Sequence, residues 1–332
     1  MTLPNVRSIK DDAAYALRRA RDPKKLILAF AGINVLAAAL LTVLNNWLGT
    51  QIEGTGGLSN FGIRSILSTA QSVLPIVQAV LLLALEFGYL HAVLRLSRGQ
   101  YADHTDLKVG FHRFGPILRL HIFQGLRFFS LGFILFYLSM QIFLLTPWAE
   151  PLVEILLPLV ESASTSADVM AMMDPATLDL AYQAMLPMFI LFGVLYCAFA
   201  IPMFYRMRLA VYVLLDDPRG QAMLAIRKST QMMRGNKLRM FRLDLSFWWY
   251  YLLIALASVI SYGDTILSML GIPLPFNDTV AFYLFYLVYL AMLFAIYYFL
   301  RNPVEVAYAK AYDSLVEKPK DDGVVLGNIF DI

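Results

Sequence analysis

Two charged residues lie inside apolar stretches of the sequence, where an isolated charge would need a partner. Glu86 precedes Arg95 by nine residues, and Arg127 follows Arg119 by eight. In helices that rise by about 1.5 Å per residue, each charge would lie roughly 13 Å inside its apolar stretch. Opposite charges at a similar depth would spare each other an expensive exposure to hydrocarbon. The sequence therefore predicts an intramembrane polar site with a Glu86–Arg127 pair, and Gln124 shares a helical face with Arg127.

Such a pair has a functional and a structural interpretation. It could form a polar pocket for a lipid headgroup, or a proton relay with His91 and His121 nearer the same boundary. It could instead be a buried ion pair that locks two helices together. In a third arrangement, Arg127 would extend its side chain to the inner interface of the membrane. The sequence leaves these alternatives open.

The basic connection over residues 219–242 is a second candidate site. Its candidate contacts for anionic lipid headgroups are Arg227, Lys228, Arg234, Lys237, Arg239 and Arg242. Each basic residue near an anionic membrane contributes on the order of 1 kcal/mol to binding. The ordinary excess of Lys and Arg in cytoplasmic loops would give the same composition, so both explanations stay open.

No sequence motif points to a reaction. The chain has no phosphate-binding GxxxxGK[ST] loop, no HExxH and no GxSxG. Its one cysteine, Cys197, excludes an intramolecular disulfide and a zinc site built on several cysteines. A methionine cluster, Met170, Met172 and Met173, has neither His nor Cys beside it. We therefore predict no catalytic residue, cofactor or metal, and a protein that is not an enzyme.

The composition predicts that membrane-spanning helices position these residues. The chain has 332 residues, of which 59% are hydrophobic and 15% charged, and its mean hydropathy is +0.63. A soluble domain carries roughly a quarter charged residues. Six segments offer the run of about 20 apolar residues that a spanning helix needs. They are residues 26–48, 66–94, 117–145, 185–205, 243–262 and 279–300. The predicted fold class is an all-α, polytopic membrane helical bundle with six transmembrane helices.

The distribution of basic residues predicts the orientation of this bundle. Residues 128–205 and 243–300 contain no Lys or Arg, and all basic residues except Arg64 fall on one side of the predicted membrane. Basic residues collect on the cytoplasmic side, so both termini are predicted to be cytoplasmic. The segments are then a basic N-terminal segment 1–25, a membrane domain 26–300 and a cytoplasmic tail 301–332. Residues 148–160 are expected to form a helix at the outer interface.

One set of motifs resembles a known family. Its centre is LLDDP at 214–218, AIRKS at 225–229, MMRGNK at 232–237 and LDLSF at 243–247. FHRFG at 111–115 and AYDSL at 311–315 extend it. These motifs resemble the domain-of-unknown-function 975 family of bacterial polytopic membrane proteins, although the WWYY of 248–251 and the long acidic loop depart from its pattern. The resemblance implies a multi-pass protein of the bacterial plasma membrane, and it implies no activity or catalytic residue.

These observations favour a non-enzymatic membrane scaffold or lipid-interacting module. The expected partners are the lipid bilayer, anionic headgroups at the cytoplasmic face, and a membrane or cytoplasmic protein. Nucleic acid is not expected. The alternative is a small-solute or lipid transporter that uses a polar site near Glu86 and Arg127. A continuous polar cavity that reaches Glu86 would favour transport, whereas a solid bundle would favour the scaffold.

Overall fold

The computed structural model describes residues 2–20, 22–54, 61–162, 174–217, 220–272, 275 and 277–316. All regular structure in these residues is helical. The methionine cluster Met170, Met172 and Met173 and residues 317–332 of the C-terminal tail lie outside them. The all-α prediction is therefore confirmed for the described part of the chain.

The helices follow the apolar runs of the sequence. In chain order they are α1 (Val6–Arg19), α2 (Pro23–Gly54), α3 (Phe61–Ser97), α4 (Val109–His112), α5 (Phe114–Leu144), α6 (Glu150–Ser162), α7 (Pro175–Met207), α8 (Ala210–Asp216), α9 (Ala222–Met232), α10 (Lys237–Leu245), α11 (Trp248–Ile260), α12 (Gly263–Met269), α13 (Asp278–Ile296) and α14 (Asn302–Val316). A short 3₁₀ helix, His104–Lys108, precedes α4, and a second, Pro147–Ala149, precedes α6. The turn Tyr297–Arg301 is a π-helix that joins α13 to α14.

Five helices in the described residues are long and apolar enough to cross a membrane. They are α2, α3, α5, α7 with its continuation through α8, and the α13–α14 helix. Their starts have local causes, as at α7, where the Asp174 side chain accepts a hydrogen bond from Thr177 N at 2.7 Å and Pro175 occupies the first turn. A short polar acceptor at the N-cap and a proline directly after it both favour a helix start.

The predicted fifth span, 243–262, is not a continuous helix. The helix is interrupted after Leu245, and the axes of α10 and α11 meet at an angle of 62°. Lys10 Nζ donates to the carbonyl oxygen of Ser246 at 2.9 Å, while Tyr250 N donates to Phe247 O. In a continuous helix the Ser246 carbonyl oxygen would accept from Tyr250 N. Here the Lys10 side chain binds that oxygen instead. With 13 residues, α11 is only about 20 Å long, so the pair together would make a sixth span.

The helix that contains the predicted sixth span, 279–300, is longer than that span. It continues through Arg301 to Val316. The predicted span ends at Leu300, before the first charged residue, but one charge does not end a helix. Beyond it, Val304, Ala307 and Ala311 are buried and hold α14 in the core.

The described residues form two compact units. Unit 1 comprises 1–119 and 209–332, and unit 2 comprises 120–208. In unit 1, α3 and the segment before α5 approach so closely that a Cβ on Gly88 would lie 2.0 Å from Leu107 O. The same unit includes α1, which buries Ile9 and Ala13, so the predicted N-terminal segment is a packed helix.

Unit 2 is built from α5, α6 and α7. Phe143, Ala149 and Met188 form a small buried cluster at one end of these helices. Phe136 and Phe192 pack edge to face with their centroids 5.6 Å apart. The helix predicted over 148–160 is present as α6, and its place at the outer interface stays a prediction.

Candidate functional site

Glu86 forms an ion pair with Arg301. Arg301 Nη2, from the π-helical turn, donates to Glu86 Oε1 on α3. Arg301 was not predicted as a partner of Glu86, and the Glu86–Arg127 pair stays a prediction. The long α13–α14 helix extends beyond residue 300 and carries the Arg301 guanidinium to Glu86.

Three aromatic rings surround the Arg301 guanidinium. Its central carbon lies 4.5 Å from the ring centroids of Phe30 and Tyr297 and 5.1 Å from that of Tyr89. Ring faces attract a cation, and the attraction is stronger where water is excluded. Arg301 is only 6% exposed, and its Nε has no hydrogen-bond partner in the described residues. The Glu86 carboxylate and three rings thus contact a buried positive charge.

Hydrogen bonds behind this arginine fix the helices that present it. Tyr89 OH donates to Asn302 Oδ1 at 2.7 Å, and Asn302 Nδ2 donates to the carbonyl oxygen of Pro23 at 3.1 Å. Tyr89 also stacks on Phe30 with the centroids 4.4 Å apart. The starts of α2 and α14 are therefore held together beside α3, around Arg301.

A cavity of about 630 Å³ extends from Glu86 within unit 1. Three helices line it with residues at helical spacing. These are Asn34, Ala38 and Thr42 on α2, Gln78, Leu82 and Glu86 on α3, and Phe282, Tyr286, Tyr289 and Leu293 on α13, followed by Tyr297. Ser261 and Tyr262 complete the polar part of the lining. The cavity thus joins hydroxyl, amide and carboxylate groups to an aromatic wall.

The aromatic wall is attached to α2 through one tyrosine. Tyr286 OH donates to Ala38 O at 3.1 Å, so Thr42 Oγ1, at 2.7 Å, donates to the tyrosine oxygen. The Tyr286 ring lies parallel to Phe282 at 5.9 Å and 5.7 Å from Tyr289. These contacts order three consecutive rings along one side of the cavity.

The other residues of the predicted intramembrane site belong to unit 2. Gln124 and Arg127 are both half-buried on α5. Arg127 Nη1 lies 3.9 Å from the sulfur of Met207 at the end of α7. Within unit 2, Arg127 therefore contacts α7, and Glu86 has its own partner in unit 1.

The comparison with family profiles gives one result. A profile described as "Protein of unknown function (DUF975)" matches residues 31–301, most of the chain. The chain belongs to this family. Neither the comparison with curated proteins nor that with solved structures finds a match. The predicted resemblance to DUF975 is therefore confirmed, and it brings no activity with it.

The motifs that resemble DUF975 form a hydrogen-bond network separate from the cavity lining. Arg98 donates to both oxygens of Asp216 at 2.7 and 3.1 Å and to Asp313 Oδ1 at 2.9 and 3.0 Å. Tyr312 OH donates to Asp216 Oδ2 at 3.1 Å. The hydrogen bonds to Asp216 and then to Asp313 raise the pKa of Arg98 above its usual value. The family motifs therefore meet in a permanently charged cluster that joins the end of α3 to α8 and α14.

Other motif residues of this DUF975 chain attach its N-terminus. Leu3 N donates to Asn236 Oδ1 at 2.9 Å, and Arg239 Nη1 donates to the carbonyl oxygen of Leu3. Arg113 Nη1 donates to Leu215 O at 3.1 Å. These hydrogen bonds connect the N-terminus to α10 and its N-cap, and the segment before α5 to α8, all within unit 1.

The predicted headgroup contacts occupy an exposed surface of the DUF975 chain. Arg227, Lys228, Arg234, Arg239 and Arg242 are exposed, and Lys237 is half-buried. Arg219, which begins the predicted segment, lies outside the described residues. Leu238, Phe241 and Leu245 on α10 are also exposed, next to the basic side chains. Apolar and basic residues thus share one short helix.

Sequence reasoning missed Arg301 as a site residue of this DUF975 chain. It was assigned to the cytoplasmic tail because it follows the apolar run. Residues 289, 293 and 297 recur at helical spacing on one face, and 301 continues the same series. This spacing is the signal that could have identified Arg301.

Proposed function

We propose that this chain is a membrane protein that binds a small solute or a lipid in the cavity ending at Glu86, and that it transports this ligand. One observation carries the proposal, namely a cavity of about 630 Å³ between apolar, potentially spanning helices. Ligand sites in proteins typically enclose about 300–1,000 Å³, with a few polar groups set in a mostly apolar lining. A bundle that serves only as a scaffold would be expected to fill this space with side chains.

The charge arrangement also supports a binding role. A buried ion pair contributes little net stability because both charges lose their hydration, so it is a poor device for holding helices together. Charged residues within spanning segments commonly mark a pathway or a binding site. The π-helical turn at Arg301 adds to this, because such turns are frequent at functional sites.

Native mass spectrometry of the purified full chain tests the proposal. We expect a small molecule or lipid bound to the wild type, lost in Ala79→Trp, whose new ring would occupy the cavity. Ile76→Trp is the matched control, because Ile76 is 63% exposed on the same helix and does not line the cavity. The proposal fails if both variants retain the same bound mass as the wild type.

A second proposed function is contact with anionic lipids through α10 and the preceding connection. Leu238, Phe241 and Leu245 follow the i, i+3, i+7 pattern of an apolar face and are exposed beside Arg242. Short helices with apolar and basic faces bind membrane interfaces. The adjacent Trp248 and Trp249 are exposed, as expected for residues at the headgroup level.

Retention of phosphatidylglycerol during stepwise delipidation tests this contact. We expect Arg234→Gln/Arg242→Gln to lose the lipid at milder washing than the wild type. Arg64→Gln removes an exposed charge outside the basic segment and should change nothing. Equal retention by all three proteins would contradict the proposed contact.

We further propose that the chain lies in the bacterial plasma membrane with both termini in the cytoplasm. The support is the one-sided distribution of basic residues, from which only Arg64 departs. A non-enzymatic role without cofactor or nucleic acid also remains our proposal, and a membrane or cytoplasmic protein partner could use the basic surface. A C-terminal alkaline phosphatase fusion should be inactive, and an active fusion would reverse the orientation.

A further inference from the structure

The only formal charge on the described lining of the cavity is negative. Glu86 supplies it, and no Lys, Arg or His contributes to the same lining. The remaining polar groups are hydroxyls and amides, such as Thr42, Ser261 and Gln78. An anionic ligand would therefore approach a carboxylate without meeting a positive side chain. Phosphate- and carboxylate-bearing ligands are thus disfavoured.

Arg301 contacts the carboxylate from outside the cavity lining. Its guanidinium lies against Phe30, Tyr89 and Tyr297 and is almost fully buried, whereas the Glu86 side chain is 31% exposed. Arg301 binds Glu86 Oε1, and no described residue donates a hydrogen bond to Oε2. One carboxylate oxygen therefore remains available to a ligand that donates a hydrogen bond or carries a positive charge.

The aromatic wall suits the same class of ligand. Phe282, Tyr286 and Tyr289 form a continuous series of rings with centroid separations of 5.9 and 5.7 Å. Aromatic rings next to a carboxylate are the groups that recognise ammonium ions, through cation–π attraction and ion pairing. Arg301 shows the same two interactions within the protein, because its guanidinium pairs with the Glu86 carboxylate and lies against three aromatic rings.

We propose that the cavity binds a small organic ammonium ion, with its nitrogen at Glu86 and its substituents against Tyr286 and Tyr289. The proposal rests on the binding function proposed above and specifies the charge of the ligand. A neutral polyol would use the hydroxyl groups but gain nothing from the carboxylate charge. The positive charge of the ligand is therefore the property to test.

Calorimetric titration of the full chain in nanodiscs tests the charge directly. The probes are choline, ethanolamine and 3,3-dimethylbutan-1-ol, which has the shape of choline with carbon in place of nitrogen. We expect choline or ethanolamine to bind at least about tenfold more tightly than the neutral alcohol. Equal affinities, or tighter binding of the alcohol, would overturn the proposal.

Three variants assign the effect to the cavity. Tyr289→Leu should weaken ammonium binding about tenfold, whereas Tyr289→Phe keeps the ring and should retain most of the affinity. Tyr283→Leu removes a ring from the same helix outside the lining and should leave binding unchanged. If Tyr289→Leu and Tyr283→Leu bind like the wild type, the ammonium ion is not in this cavity and the proposal fails.

The carboxylate has its own control. Glu86→Gln should abolish the preference for the cation over the neutral alcohol, while Glu53→Gln, an exposed charge near the end of α2, should keep it. A preference that survives in Glu86→Gln would overturn the assigned role of Glu86.

The outcomes also separate this proposal from the proposed function. If none of the three probes binds but Ala79→Trp still loses a native bound mass, the cavity is a binding site for another class of ligand. If no probe binds and the native mass is insensitive to Ala79→Trp, both proposals fail.

Discussion

The two parts of α3 meet very different surroundings. From 62 to 83 no described residue is buried, and Gln78 and Leu82 line the cavity. From 84 to 97 most residues are buried, and the helix ends in the network around Arg98. One helix therefore serves as an open wall along one part and as a packed anchor along the other.

The arginines of these two regions show the same contrast. All three guanidinium nitrogens of Arg98 donate to carboxylates, on Asp216 and Asp313. Arg301 forms an ion pair with Glu86, and its Nε has no acceptor in the described part of the chain. A fully satisfied network fixes one geometry, whereas an unpaired buried polar group costs free energy. The difference separates a structural cluster from a candidate site.

The largest effect should come from removing the Glu86 carboxylate, which lines the cavity at the start of the packed part of α3. Glu86→Leu leaves Arg301 buried without its ion partner, so we expect a loss of about 3–5 kcal/mol in the free energy of unfolding. Glu86→Leu/Arg301→Leu removes both charges and should recover most of that loss. Thermal unfolding in detergent, followed by size-exclusion chromatography, measures both. Glu53→Leu serves as the exposed control, and a double variant as unstable as the single one would show that the ion pair itself stabilises the fold.

A smaller loss is expected from crowding the packed part of α3. A Cβ on Gly110 would lie 1.8 Å from Ala84 O, so Gly110→Ala forces the backbones apart. We expect a loss of about 1–3 kcal/mol in the free energy of unfolding. Gly115→Ala is the matched control, because no described atom lies within 4 Å of its Cβ position. Equal unfolding temperatures for the two variants would show that the backbones of α3 and α4 can move apart at little cost.

The long helices of this fold could be predicted because a run of about 20 apolar residues seldom forms anything other than a membrane-spanning helix. The runs within α2, α3, α5 and α7 each carry about 20 apolar residues, and all four appear as helices. The break between α10 and α11 could not be predicted in this way. It depends on Lys10, which lies 236 positions before Ser246 in the sequence. Contacts of this kind leave no local periodicity.

The candidate site was only half predictable for the same reason. Glu86 stands out because a charge within an apolar run is rare and expensive. Equal depth in the next helix predicts Arg127 as its partner. The ion partner that the structure shows, Arg301, comes from the far end of the sequence, and the rings that contact it belong to three separate segments. Pairing by depth alone cannot distinguish between such arginines.

The anchor should be sensitive to hydrogen-bond geometry as well as charge. Arg98→Lys keeps the positive charge but loses the planar fork that bonds Asp216 and Asp313 together. We expect a loss of about 1–2 kcal/mol in the free energy of unfolding, since Arg98 remains partly exposed. Arg95→Lys is the control, because Arg95 makes one such bond, at 2.7 Å to Asp106 Oδ1. If the two lysine variants unfold alike, the fork geometry at Arg98 contributes nothing beyond its charge.

The smallest effect is expected outside both parts of α3, at the start of α7. There the Asp174 carboxylate caps the helix, by accepting hydrogen bonds from Thr177. The hydrogen bonds from Thr177 lower the pKa of Asp174. The folded pKa is then below the unfolded value of about 3.9, so this N-cap stabilises the helix above that pH and is lost as the pH falls through the folded value. Amide exchange at Thr177, corrected for its intrinsic pH dependence, should therefore be slow at neutral pH and accelerate in acid. Asp174→Asn keeps a capping oxygen that does not titrate, so its exchange should show no such acceleration. An equal acceleration in Asp174→Asn would assign the effect to general acid unfolding of the chain instead.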